Sequence, residues 1–295
     1  MKRIKFFWLS CLLLTANFTA VMAQHTILRE SSEAVRYYDT GADFHNRGKY
    51  AQAIESYKTA IRLKTDYAEA YNNLGNVYAE LKRYDEAIET LLEAVRLKPE
   101  YAEAYNNIGV VYTDMNRYRE AVEIFGKAIK IRPGYALAYN NAGKAYMNLG
   151  CYNEAAEAFL TAAKIKPGDA AMQRNLGLAY LESGSYKEAI EAFQSAISFR
   201  TDYIAAYNDL GVAYSKSGLY HKAVEAFQQA IFLNSNCEQA HLNLGLLHLS
   251  FDMNDAAQQQ YIILKRLNPE MANILLETIR KKPDAIKAKQ KSLLN

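Results

Sequence analysis

The chain has 295 residues, of which 50% are hydrophobic, and 35 basic against 32 acidic side chains give a formal net charge of +3. This near balance argues against a protein that binds nucleic acid through its phosphates, because such binding requires basic residues concentrated on one face. The composition is otherwise that of an ordinary folded protein.

The first residues differ from the rest of the chain. Lys2, Arg3 and Lys5 precede an apolar run at 6–14, and Val21-Met22-Ala23 resembles a small-residue cleavage site. We predict that residues 1–23 are a secretory signal, so that the protein is exported to the periplasm or the cell exterior. The alternative is an uncleaved membrane anchor formed by residues 6–23, although polar residues interrupt a stretch that is already close to the minimum spanning length.

After a lead-in at 24–33, one 34-residue pattern recurs seven times without insertion or deletion. These repeats 1 to 7 occupy residues 34–67, 68–101, 102–135, 136–169, 170–203, 204–237 and 238–271. In each repeat, apolar residues fall at helical spacing twice, with a short break between, which predicts two antiparallel helices joined by a turn. A fixed period of this length indicates a solenoid, in which no repeat can bury its apolar face alone.

Small residues occupy fixed places in this pattern. Every repeat has glycine at its eighth place (Gly41, Gly75, Gly109, Gly143, Gly177, Gly211, Gly245) and alanine at its twentieth (Ala53, Ala87, Ala121, Ala155, Ala189, Ala223, Ala257). Because glycine inside a helix costs about 1 kcal/mol relative to alanine, the eighth-place glycines predict close approach of the paired helices. Four further glycines, Gly48, Gly150, Gly184 and Gly218, fall in the turn, where a positive φ would help to end the first helix.

The combination of periodic tyrosine, Leu-Gly, alanine, phenylalanine and proline resembles the tetratricopeptide repeat, and the resemblance covers 238 residues. It implies an all-α fold, a right-handed superhelical α-solenoid of antiparallel helix pairs. It also implies a concave groove, lined by the first helix of each repeat, in which protein or peptide ligands bind. The family's carboxylate clamp needs basic residues at groove places that are mostly not basic here, so that function is not expected.

Repeat 7 departs from the pattern, as terminal repeats do. After it, an amphipathic capping helix is predicted at Ala272–Arg280, followed by a basic tail, and the whole segment 272–295 carries six basic and two acidic residues. This tail and an uncleaved N-terminus are the two places at which contact with a membrane is conceivable.

No residue pattern of a known catalytic, phosphate-binding or cofactor site occurs, so we predict a protein without enzymatic activity, cofactor or metal. His241 and His248 share one helix face, but both stand at places where tyrosine packs in other repeats. Cys151 and Cys237 lie more than eighty residues apart and are predicted to be unpaired thiols. The periodic tyrosines are predicted to pack between repeats; the alternative for Tyr71, Tyr105 and Tyr139 is stacking on carbohydrate.

One polar series predicts a binding site. The sixth place holds Asp39, Asn73, Asn107, Asn141, Asn175, Asp209 and Asn243. This ladder resembles the asparagines that grip an extended peptide backbone in the repeat domain of O-linked N-acetylglucosamine transferase, since an amide can donate and accept hydrogen bonds at once. The alternative is that these asparagines bond neighbouring helices or water. Neighbouring places add Asn72, Asn106, Asn140 and Arg174 at the fifth and Asn76 and Lys144 at the ninth.

The predicted groove is polar in early repeats and apolar in late ones, where Leu178, Val212, Leu242, Leu246 and Leu249 stand. A ligand with a polar and an apolar part is therefore expected. The predicted function is a non-catalytic scaffold that binds extended segments of other proteins. The alternatives are a self-assembling structural array, or an accessory subunit of an enzyme or of a secretion or envelope-assembly complex. The sequence leaves the oligomeric state open.

Overall fold

The structure, a computed structural model, describes residues 31–293, with side chains described up to residue 281. The predicted signal or anchor therefore lies outside the described residues. All regular secondary structure in the described part is helical: α1 (residues 31–46), α2 (Tyr50–Leu63), α3 (Ala68–Glu80), α4 (Tyr84–Leu97), α5 (Ala102–Asp114), α6 (Tyr118–Ile131), α7 (Ala136–Asn148), α8 (Tyr152–Ile165), α9 (Ala170–Glu182), α10 (Tyr186–Phe199), α11 (Ile204–Lys216), α12 (Tyr220–Leu233), α13 (Glu238–Ser250), α14 (Asn254–Leu267) and α15 (Pro269–Leu293).

The described helices form two compact units, one ending at Pro133 and the other beginning at Gly134. In each unit, the first and second helices of a repeat pack against each other, and a second helix such as α4 or α8 packs against the first helix of the next repeat. The fold is thus the α-solenoid of regular helix pairs that the repeat pattern predicts. None of the helices in the described part of the chain is both long and apolar enough to cross a membrane.

The two helices of each repeat meet at the eighth-place glycine. A Cβ atom built on Gly109 would lie 2.5 Å from the Phe125 ring, and the other six positions give nearest distances of 2.5 to 2.8 Å. The neighbouring twentieth-place alanines are all fully buried. The predicted close approach is confirmed: each glycine makes room for one large side chain, which in repeats 1 to 6 comes from the second helix of the same repeat.

The turn between paired helices uses the left-handed backbone region in every repeat. Gly48, Gly150, Gly184 and Gly218 have φ between 68° and 82°, as predicted. The same place holds Lys82, Asn116 and Asp252 in the other three repeats, with φ of 59° to 61°. The turn geometry is therefore constant even where the sequence lacks glycine, at a cost in backbone strain.

Helix α15 closes the C-terminal unit. Its Leu275 is fully buried and contributes the side chain that faces Gly245, the role filled in repeats 3 to 6 by a phenylalanine of the same repeat. The helix begins three residues before the predicted Ala272 and continues past Pro283, where the sequence predicted a tail. One proline removes a single backbone N–H donor, which can kink a helix without ending it.

Candidate functional site

The first helices of consecutive repeats lie side by side within each unit. Helix α3 contacts α5 in the N-terminal unit, and α7, α9, α11 and α13 contact one another in sequence in the C-terminal unit. In either unit, we call the surface that these helices form the first-helix face. It carries the fifth, sixth and ninth places of repeats 2 to 7, and therefore every residue that the sequence singles out as a binding site except Asp39, which lies on α1.

The sixth-place side chains bond across repeats by one rule. Within each unit, the side chain reaches the fifth-place side chain of the preceding repeat, 35 residues earlier, at Asn73, Asn107, Asn175, Asp209 and Asn243. The amide Nδ2 of Asn107, Asn175 and Asn243 donates to the Oδ1 of Asn72, Asn140 and Asn208 respectively, each at 2.9 Å. In the same way, Asn73 Nδ2 donates to the Tyr38 hydroxyl at 3.0 Å. The ladder thus holds neighbouring repeats together, which is the alternative that the sequence left open.

The fifth-place asparagines are buried at this contact. Asn72, Asn106 and Asn140 are 2 to 6% exposed. Asn72 also donates to Asn73 Oδ1 at 3.2 Å, and Asn106 to Asn107 Oδ1 at 3.4 Å. Asn72 and Asn140 therefore contribute to packing between repeats, and none of these three side chains, which the sequence placed among the peptide-binding residues, lies on an open surface.

The sixth-place asparagines are less enclosed. Asn73, Asn107, Asn141, Asn175 and Asn243 are half-buried, while Asp39, in repeat 1, is exposed. An asparagine amide has two N–H donors and two acceptor positions. The contacts of Asn107 with Asn72 and Asn106 use one N–H and one acceptor position. Its amide retains one further donor and one further acceptor position.

One of the described steps of the ladder is charged. At the junction of repeats 5 and 6, Arg174 Nε donates to Asp209 Oδ2 at 2.6 Å, so an ion pair replaces two asparagines. Burial raises the pKa of the Asp209 carboxyl, and the neighbouring Arg174 guanidinium opposes that rise. The sequence named both residues separately; their spacing of 35, together with the simultaneous exchange of both asparagines for opposite charges, was the signal that they form a pair.

In repeats 2 to 4 the ninth-place residues face open space. Asn76 and Val110 are half-buried and line an open cavity of about 250 Å³ with Asn107, while Lys144 is exposed. The polar wall of this cavity continues with His45, whose Nε2 lies 2.9 Å from Glu80 Oε1.

The prediction that apolar residues line the late part of the groove is wrong at two residues. Leu242 and Leu249 are 6% and 3% exposed and belong to the core cluster with Leu275 of α15. The capping helix covers them, which periodicity alone could not show. Leu178 and Val212 are only partly buried and pack at the margin of the neighbouring core.

The remaining candidate residues have structural contacts. His241 is buried, and its two ring nitrogens lie 2.7 Å from Gln260 Oε1 and 3.0 Å from the Ser235 carbonyl oxygen. Tyr71 and Tyr105 pack against the core of the N-terminal unit, as predicted for the periodic tyrosines. Cys151 and Cys237 are free thiols. Among the described residues, no three His, Cys, Asp or Glu side chains are placed to hold a metal ion.

Comparison with protein families agrees with this architecture. Residues 41–82 match the family model described as TPR repeat, and residues 68–273 match the one described as the cilia and flagella-associated protein 70 C-terminal domain. The chain is a tetratricopeptide-repeat protein. The match over residues 68–273 covers more than half of the chain, so these residues belong to that domain family. The words cilia and flagella in the family description name another protein and say nothing about the location of this chain. Comparison with curated proteins gives no significant match.

Solved structures show the same fold at low sequence identity. YrrB, described as a TPR protein with an unusual peptide-binding site, is 22% identical, with a TM-score of 0.56, covering 63% of this tetratricopeptide-repeat chain and 96% of YrrB. PilF of Pseudomonas aeruginosa is 24% identical, with a TM-score of 0.57 and coverage of 68% and 92%. The C-terminal part of a TPR repeat-containing protein from Cytophaga hutchinsonii is 15% identical, with a TM-score of 0.67 and coverage of 81% and 99%.

Proposed function

We propose that this tetratricopeptide-repeat protein is a non-catalytic scaffold that binds extended segments of other proteins on its first-helix face. The observation that carries the proposal is the sixth-place ladder: half-buried amides recur at a constant 34-residue interval and keep bonding capacity after their contacts between repeats are made. The peptide-binding site named in the description of YrrB supports a ligand of the same class.

The geometry suggests how an extended chain would be held. A peptide main chain presents alternating N–H and C=O groups, and an amide side chain can pair with either. Because the fifth-place asparagines fix the sixth-place amides through hydrogen bonds, little side-chain entropy remains to be lost when a ligand binds. The ninth-place residues Asn76, Val110 and Lys144 differ in polarity and size, and they would select among ligand side chains.

The binding experiment therefore targets the ninth place, where substitutions leave the contacts between repeats intact. We expect Val110→Glu/Lys144→Glu to lose most of the proteins that cross-link to the wild type in a pull-down from native extract, without loss of helicity by circular dichroism. The matched control is Leu92→Glu/Lys127→Glu, which introduces the same change in charge at exposed positions of the second helices α4 and α6. Equal capture by both double variants would contradict the proposal.

We further propose that the protein acts after export, in the periplasm or outside the cell. The support is the basic start, apolar run and small-residue site of residues 1–23. Trp8 is the only tryptophan of the chain, so a cleaved, exported protein has none. Tryptophan fluorescence from protein recovered outside the cytoplasm would contradict cleavage and favour the membrane anchor at 6–23.

Self-assembly remains the second candidate, because α12 carries one unusually exposed aromatic side chain, Phe232, at 82% exposure. A self-assembling array should show a mass that rises with concentration in light scattering, and Phe232→Ser should lower it. A constant monomer mass in the wild type would remove this candidate.

A further inference from the structure

The C-terminal unit contains an open cavity of about 500 Å³ beside the one charged step of the ladder. Its wall includes Arg174 of α9, Arg200 and Tyr203 of the connector between α10 and α11, and Cys237 and Gln239 at the start of α13. Ligand sites in proteins commonly have this volume. The cavity is therefore large enough for a ligand side chain together with its backbone.

The two arginines are held by one aromatic ring. The guanidinium carbon of Arg200 lies 3.6 Å from the centroid of the Tyr203 ring, and that of Arg174 lies 5.9 Å from the same centroid. Contact with the face of a ring leaves the in-plane N–H groups of a guanidinium available for hydrogen bonds. Tyr203 thus brings two planar, permanently charged donor groups to the same cavity.

Arg200 lacks the glutamate partner that its counterparts in repeats 2 and 3 have. The same place in repeats 2 and 3 holds Lys98 and Arg132, which bond to second-place glutamates at 2.8 and 2.6 Å. In repeat 5 the second place is Ala171, so no glutamate is available to Arg200. Within the described residues, its acidic neighbour is Asp202, which is 81% exposed and lies 3.8 Å from Arg200 Nε, beyond hydrogen-bond distance.

The negative charges at the cavity do not occupy these donors. The Asp209 carboxylate is engaged by Arg174 Nε and Asn208 Nδ2, and its side chain is only 12% exposed. Arg174 uses Nε for this bond and retains both Nη groups. Asp202 also lines the cavity, but its side chain is 81% exposed and 3.8 Å from Arg200 Nε. The formal charges in the cavity nearly cancel, but guanidinium N–H groups of both arginines remain available to a ligand.

We propose that this cavity binds a carboxylate of the protein ligand, with the guanidinium groups of Arg174 and Arg200 as donors. The carboxylate would come from an acidic side chain or from a chain terminus. The inference rests on the proposed function, since it names one chemical feature of the peptide that the first-helix face would hold. Guanidinium groups suit this role because their paired N–H groups match the two oxygens of a carboxylate.

Cys237 provides a direct measurement, because its thiol lies in the wall of the cavity. In a Cys11→Ser/Cys151→Ser protein, the rates of alkylation by iodoacetate and iodoacetamide are compared. Both reagents attack the thiolate, so the ratio of the two rates cancels the thiolate fraction and reports attraction of the reagent's carboxylate. We expect this ratio to exceed that of the unfolded protein by about fivefold, the factor expected for one nearby charge in largely aqueous surroundings.

Arg200→Gln should return the ratio to that of the unfolded protein. Arg132→Gln, the matched change at the same place of repeat 3, should leave it unchanged. Arg200 is an exposed residue at the end of α10, so its substitution should not affect folding. A ratio equal to that of the unfolded protein in the wild type, or one unaffected by Arg200→Gln, would overturn the proposal.

Small ligands then distinguish the sources of the carboxylate by protecting Cys237 from iodoacetamide. The probes are acetyl-Ala-Glu-Ala-amide, acetyl-Ala-Gln-Ala-amide and acetyl-Ala-Ala-Ala with a free terminal carboxylate. Protection by the first probe assigns the site to an acidic side chain, and protection by the third assigns it to a chain terminus. Protection by the glutamine peptide equal to that by the glutamate peptide, or equal protection by inorganic phosphate, would refute selection of a carboxylate.

These outcomes are separable from those of the proposed function. Loss of captured partners in Val110→Glu/Lys144→Glu, together with a negative alkylation result, would refute the carboxylate site alone. Unchanged capture by that variant would refute binding on the first-helix face, whatever the reactivity of Cys237.

Discussion

Arg174 and Asp209 form an ion pair at the places where other repeats have a pair of asparagines. Mutation of both residues to asparagine would restore the amide pair. Arg174→Asn leaves the Asp209 carboxylate, whose side chain is 12% exposed, without a cation. Removing one partner of a buried pair costs about 3–5 kcal/mol, so we expect a loss near the lower end of that range in unfolding free energy at pH 7. Asp209→Asn should cost less, about 1–2 kcal/mol, because Arg174 is 28% exposed and can turn toward water.

The double variant Arg174→Asn/Asp209→Asn should regain most of this loss. It recreates the asparagine pair that Asn72 and Asn107 form in the N-terminal unit. Exchange of a buried ion pair for neutral partners of suitable shape is often close to neutral. The expected coupling energy in the double-mutant cycle is therefore about 3 kcal/mol, measured by urea unfolding followed by circular dichroism. A double variant no more stable than Arg174→Asn would refute the assignment of this pair as a ladder step.

The pH dependence gives an independent check on the same variant. Burial raises the pKa of the Asp209 carboxyl, and loss of Arg174 removes the charge that opposes this rise. A carboxyl whose pKa is higher in the folded protein stabilises the fold at pH values below its unfolded-state pKa. This stabilisation is lost as the pH rises through the folded-state pKa. The deficit of Arg174→Asn relative to the wild type should thus shrink as pH falls from 7 toward the range in which folded Asp209 takes up a proton. A deficit independent of pH would contradict this origin.

Three further predictions concern the turns, the helix contacts and a buried tyrosine, and each is measured as the free energy of unfolding. Lys82→Gly should stabilise the protein by about 0.5–1 kcal/mol because the φ of Lys82 is 59°, while Gly48→Ala should destabilise it. If the two variants changed the free energy of unfolding in the same direction, backbone strain at these turns would be refuted. Gly109→Ala should cost about 1–3 kcal/mol, since its Cβ would lie 2.5 Å from Phe125, and a neutral result would contradict close packing. Burial raises the pKa of Tyr57 to about 12. The wild type should therefore lose up to about 2.7 kcal/mol of unfolding free energy as the pH rises from 10 through 12, and Tyr57→Phe should not. Equal losses in both proteins would refute this prediction.

The sequence predicted the parts of the fold that recur within one repeat. Glycine at a constant place inside a helix carries a known penalty, so its close contact with a facing side chain could be inferred without coordinates. The turn glycines likewise indicated a positive φ, which Lys82 and Asp252 adopt as well. These features depend on residues near in sequence, where spacing and backbone chemistry determine the geometry.

Contacts between repeats were less accessible to sequence reasoning. A perfect period aligns equal places but does not state which place of one repeat touches which place of the next. The sixth-to-fifth contact of Asn107 with Asn72 spans 35 residues, one more than the period, and only the charged exchange at Arg174 and Asp209 marks that offset. The burial of Leu242 under α15 was missed for the same reason, because the capping helix lies outside the period.

The contact between sixth and fifth places also affects which positions can carry information about the ligand. A conspicuous ladder of amides satisfies two requirements at once, since it joins repeats and retains bonding capacity toward solvent. Its regularity therefore follows from packing, whether or not a ligand is present. The ninth place has no such packing role at Asn76, Val110 and Lys144, and the connector arginine Arg200 lacks the glutamate partner that its counterparts in repeats 2 and 3 have. Positions at which the repeats differ without a structural reason are the ones that would distinguish one peptide from another.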